Sequence, residues 1–136
     1  MIIALSTYPE KEKAEEAAKE IIKEELAACV SIVKIENSIY RHKGKLENHP
    51  EYMLVIKTTR KAYTRLEMYI KEHHPYEIPE ILYLKIGGGS KEYIQWMDSM
   101  TLSRLLRVPL DLRGTSRASE PERESTKDKK PRTLSA

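Results

Sequence analysis

The chain has little of what most chemical motifs need. Its 136 residues hold one cysteine, Cys29, which excludes an intrachain disulfide and any cysteine-based zinc cluster and agrees with a reducing compartment. No segment reaches the ~18 apolar residues that a membrane helix requires. The start, MIIALSTYPEKEK, has neither the basic beginning nor the small-residue cleavage site of a signal peptide, so the expected location is the cytoplasm. No internal repeat is visible.

A surplus of one charge sign is also missing from the body. The formal net charge is +3, but residues 101–136 hold nine Lys or Arg against five Asp or Glu, leaving residues 1–100 at −1. A nearly neutral body offers phosphate no electrostatic footprint, and the tail intersperses its bases with Glu120, Glu122, Glu124 and Asp128. Nucleic acid is therefore not an expected partner. Gly87-Gly88-Gly89 before Ser90-Lys91 lacks the spacing of a phosphate-binding loop and reads as a turn.

What the chain does have is periodicity. Ile2 to Leu5 reads as a short strand. From Pro9, Ala14, Ala17, Ala18, Ile21, Ile22 and Leu26 recur three and four apart, the stripe of an amphipathic helix. At Cys29 the period becomes two, and Val33, Ile35 and Ile39 alternate with polar residues up to Tyr40 and the turn signal Lys43-Gly44-Lys45. Tyr52 to Ile56 is apolar on both faces, as an interior strand requires. Thr58 or Thr59 caps a second helix with Ala62, Leu66, Tyr69 and Ile70 buried, and Pro75 ends it. Ile81 to Ile86 is a fourth strand, and Ser90 caps a short third helix carrying Ile94, Met97 and Trp96.

The order βαββαβα, with both main helices on one face of one antiparallel sheet, predicts an α+β, ferredoxin-like sandwich with an extra C-terminal helix. The long β2-β3 hairpin exceeds what a monomer of this size can cover, so its far end is expected to meet another subunit. Residues 1–100 form the domain, 101–112 a short apolar extension, and 113–136 a disordered basic tail, because their composition cannot offset chain entropy.

The segment His73-His74-Pro75-Tyr76-Glu77-Ile78-Pro79-Glu80 concentrates two imidazoles and two carboxylates between a helix and a strand. Imidazole is the commonest metal ligand, and the same residues also serve as helix stop and strand entry. From spacing alone the structural reading is favoured, since the His-x-x-x-His helical pair is absent. Cys29 reads as a small buried hydrophobe rather than a nucleophile, and Arg41, His42, Lys43 and Lys45 as a solvated basic turn.

Glu24 to Val30, Ser38-Ile39-Tyr40 with Gly44-Lys45, Glu51, Ile56-Lys57-Thr58, His74 to Glu80, and Tyr93 with Trp96 together resemble, in order over residues 1–100, the CutA divalent-cation-tolerance family. The resemblance implies a homotrimer in which each long hairpin extends a neighbour's sheet, no catalysed reaction, and a bound divalent ion, copper or zinc. His73 and His74 match the family's histidine ligands, Glu77 is a supporting carboxylate, and Ser6 stands where bacterial members have a Cys ligand. His42-Lys43 replaces the family's Trp-Glu at the hairpin tip. The same likeness extends to PII signalling trimers, and so implies an alternative: a small effector held between subunits by Tyr40, His42, Lys45, Glu51, Lys57 and Tyr76.

Overall fold

A computed structural model describes residues 1–105, with side chains through Thr101. The elements are β1 (Ile2–Tyr8), α1 (Lys11–Lys23), β2 (Cys29–His42), β3 (Lys45–Thr58), α2 (Arg60–His73), β4 (Leu82–Lys85) and α3 (Lys91–Leu105). One sheet orders them β2-β3-β1-β4, with every neighbouring pair antiparallel. This is the α+β arrangement that the element order predicts. The tail assigned to residues 113–136 lies outside the described residues, while α3 runs five residues past the predicted domain end.

The core explains why these elements hold together. Ile2 and Ala4 of β1 and Leu54 and Ile56 of β3 pack with Ala14, Ala17 and Ile21 of α1 and Leu66 and Ile70 of α2. Both helices therefore cover one face of the sheet, and each large aliphatic chain so buried contributes about 1.5–3 kcal/mol. Ile22, expected in this stripe, is exposed; Leu26 joins the core from beyond the helix end. There Glu25 takes a left-handed φ of 59°, its N–H bonds Ile22 O, and the Leu26 N–H bonds Ile21 O. Such a helix stop usually uses glycine.

β1, β2 and β3 run further than the apolar runs suggested, whereas β4, expected over Ile81 to Ile86, pairs only over Leu82–Lys85. β1 continues through Tyr8, so Ser6 and Thr7 are strand residues, buried in the sheet. Lys43 and Gly44 close the hairpin with φ of 52° and 80°, the two positive values that a tight turn between twisted strands demands. Gly87 to Gly89 form no turn, and none takes positive φ. Thr59, the nearer of the two expected caps, accepts from the Ala62 N–H of α2 at 3.1 Å. Ser90 Oγ accepts from Tyr93 N–H at the start of α3. Met97 is buried, but Trp96 is exposed, against expectation.

β1 pairs with only the Tyr52–Thr58 part of β3, so the hairpin beyond it projects as a two-stranded ribbon. Pro50 interrupts this ribbon because it has no N–H to give the ladder. The register answers with a bulge: Glu36 and Asn37 stand between the pairs Ile35↔Glu51 and Ser38↔His49, where β3 has Pro50 alone. One extra residue reverses the alternation of β2. As a result Ser38, Tyr40 and His42 share a face with Lys45, Glu47, His49 and Glu51, and this face continues into Met53, Val55 and Lys57 of the sheet. It is the face opposite α1 and α2. Val33, Leu82 and Leu84 on it are exposed, as are Ile39 and Leu46 on the other side of the ribbon.

Candidate functional site

The joint between α2 and β4 is where the sequence concentrates its chemistry. Pro75 ends α2 as predicted: His73 is the last helical residue, and His74, preceding the proline, is extended with φ −80° and ψ 142°. That single change of backbone sends the two imidazoles to different places. His73 is exposed at the helix end, its ring stacked on Tyr69 at 4.3 Å between centroids. Its Nδ1–H donates to the Tyr69 carbonyl at 2.9 Å, leaving Nε2 as the atom with a lone pair.

His74 is fully buried. Its Nδ1 accepts from the Tyr76 N–H at 3.0 Å, so in the neutral ring the proton sits on Nε2, which donates to the Thr7 carbonyl at 2.7 Å. The ring lies against Tyr8 at 4.1 Å and Tyr76 at 4.9 Å between centroids. The predicted constellation of His73, His74 and Glu77 is thus not gathered into one chelate. Glu77 is exposed, and among the described residues no three His, Cys, Asp or Glu lie close enough together to hold an ion. Ser6 is fully buried in β1 and hydrogen-bonds neither histidine; its hydroxyl sits near enough to the Tyr8 phenol to favour the phenolate slightly, without a well-formed hydrogen bond. Burial dominates at Tyr8 and pushes that phenol far above its ordinary range.

Tyr76 carries the joint across to the hairpin. Its hydroxyl donates to Glu51 Oε2 at 2.9 Å, and Ser38 donates to Oε1 of the same carboxylate at 2.9 Å. Glu51 is 2% exposed, so these charge-assisted bonds replace water that a carboxylate would otherwise keep. The Ser38 bond exists only because the bulge turns Ser38 toward Glu51. Of the predicted cleft residues, Glu51 and Tyr76 are in direct contact, Tyr40, His42 and Lys45 lie further out on the same ribbon face, and Lys57 lies at the other end of β3.

Two features escaped sequence reasoning. Lys57 pairs in register with Cys29, placing its ammonium 3.7 Å from the Cys29 sulfur and 2.9 Å from Ser31 Oγ. Cys29 is therefore a half-buried thiol beside a cation, not a small core residue. His49, with Glu47 at 3.2 Å and Tyr40 at 6.0 Å between rings, extends the polar face of the ribbon. Pro50 was the available signal for both the bulge and this shared face.

Known proteins match the same span. The family model described as CutA1 divalent ion tolerance protein fits residues 2–100. The divalent-cation tolerance protein CutA of Thermus thermophilus is 41% identical over 99 residues, 73% of this chain and 96% of that protein. Its Yersinia pestis counterpart is 38% identical over 101 residues, 74% of this chain and 85% of that protein. Among solved structures, CutA1 from Oryza sativa superposes with a TM-score of 0.73 at 37% identity, covering 75% of this chain and 94% of its own. CutA1 from Pyrococcus horikoshii gives 0.71 at 32% identity, covering 74% and 98%. The family model spans residues 2–100, the relatives and solved structures each match about three quarters of the chain, and the chain belongs to the CutA1 divalent ion tolerance family.

Proposed function

We propose that this protein is a cytoplasmic, homotrimeric divalent-cation tolerance protein that binds copper or zinc through His73 and catalyses no reaction. The observation that carries the reading is the Nδ1–H bond from His73 to the Tyr69 carbonyl. Metal-ligating histidines are typically oriented in this way, with one ring N–H given to a carbonyl and the other nitrogen left to the ion. The stacked Tyr69 ring holds the imidazole further. Glu77, exposed four residues on, is the supporting carboxylate.

His74 does not fit the ion, because both its nitrogens already have partners. Ser6 does not fit a soft ion either, since a buried hydroxyl stands where a thiolate would. A single imidazole binds weakly, so the remaining ligands come from water or from other copies of the chain. Assembly is supported by the apolar residues Val33, Leu82 and Leu84 on the sheet face and by Ile39 and Leu46 on the ribbon, all exposed in the single chain. Native mass measurement on protein purified without chelator tests both parts: three subunits that take up added zinc are expected, and a monomer, or a trimer that stays metal-free, contradicts the reading.

A second reading has its own observation in its favour. The bulge at Pro50 brings Tyr40, His42 and Lys45 to the face of Glu51, with Lys57 further along it, and these offer donors and a ring to a small anionic effector between subunits, while Glu51 itself is held inside by Tyr76 and Ser38. A thermal-shift screen in which a metabolite stabilises the protein and metals do not would select this reading over the first.

A further inference from the structure

We infer that His74 is a positioning residue: a buried neutral imidazole that ties β1 to the α2-β4 joint and so sets the Tyr76 hydroxyl on Glu51, and that takes no metal ion. The inference stands whether or not His73 binds metal. Three facts carry it. The ring is completely buried. Each nitrogen has a fixed and opposite role, Nδ1 accepting from the Tyr76 N–H and Nε2 donating to the Thr7 carbonyl. The ring is also clasped between Tyr8, from the same strand as Thr7, and Tyr76 itself.

The geometry links distant parts of the chain in one line. Thr7 fixes the imidazole, the imidazole fixes the Tyr76 backbone, and the Tyr76 hydroxyl meets the Glu51 carboxylate at the base of the ribbon. An ion on Nδ1 would displace the Tyr76 N–H, and an ion on Nε2 would orphan the Thr7 carbonyl inside the fold, where an unmet polar group is costly. A ligand role and this positioning role are therefore exclusive at each nitrogen.

Imidazole nitrogen spectra of the full chain, labelled at its four histidines and assigned with His42→Ala, His49→Ala and His73→Ala, test the claim directly. At neutral pH the His74 Nδ1 should appear unprotonated and Nε2 protonated, and neither should move when zinc is added in excess. An Nδ1–H tautomer, or zinc-dependent shifts at His74, overturns it. Positioning is read by coupling: Tyr76→Phe should lower the melting temperature less in a His74→Ala background than in the wild type. Equal losses in both backgrounds overturn the positioning role. If the alanine variant does not fold, His74→Gln, whose amide N–H can still serve the Thr7 carbonyl but which has no atom at the place of Nδ1 to accept from the Tyr76 N–H, serves in its place with the same two outcomes.

Discussion

The Tyr76 hydroxyl donates to Glu51 at 2.9 Å, joining the loop after α2 to the base of the projecting hairpin. Ser38 holds the other oxygen of the same carboxylate, so the loop after α2 and both strands of the hairpin converge on one buried charge. Removing the Tyr76 hydroxyl leaves that carboxylate short of a donor. Tyr76→Phe is expected to cost about 2 kcal/mol, read as a lower midpoint in denaturant unfolding, and an unchanged midpoint would contradict the importance of this bond.

The stop of α1 offers a change in the opposite direction. Glu25 holds a left-handed φ of 59° at the position where glycine is usual, and a residue with a Cβ is strained there by about 1 kcal/mol. Glu25→Gly should raise stability by up to that amount in thermal or chemical unfolding. A lower stability would mean that the Glu25 side chain is worth more than the strain it brings.

Alkaline pH should destabilise the fold. Burial, with Glu20, Glu16 and Glu24 adding to it, raises the Tyr69 phenol to about 12, and burial raises Tyr8 as well. An unfolded tyrosine ionises near about 10. Between these values the unfolded chain holds fewer protons than the folded one, so stability is intact below about pH 10 and falls as pH rises toward 12. Unfolding followed by tyrosinate absorbance should show this slope, and Tyr69→Phe should flatten it.

Assembly should depend on residues that the single chain leaves in water. Leu46 is 78% exposed and Leu84 55% exposed, so a charge there costs the subunit little. Leu46→Asp with Leu84→Asp should give folded species that sediment as smaller particles than the wild type at the same concentration. A mass identical to that of the wild type would remove these faces from the subunit contact.

The fold was largely readable because its signals are local. The alanine stripe of α1, the cap at Thr59, the stop at Pro75 and the Lys43-Gly44 turn each follow from a few neighbouring residues. The site was less readable because its geometry depends on tertiary context. Adjacent histidines look like a pair, yet His73 completes a helix while His74 must be extended before Pro75, and one phase change of backbone separates their side chains. Pro50 was visible, but that its bulge would turn Ser38, Tyr40 and His42 onto the face of Glu51 depended on the register. The pairing of Lys57 with Cys29 is likewise a register fact, invisible to spacing along the chain.

The metal-binding reading turns on one imidazole. Calorimetric titration of zinc or copper(II) into chelator-stripped protein at neutral pH, comparing wild type with His73→Ala, tests it most directly. Binding by the wild type that is lost, or weakened at least tenfold, in His73→Ala is the predicted result; equal binding by both proteins would contradict it.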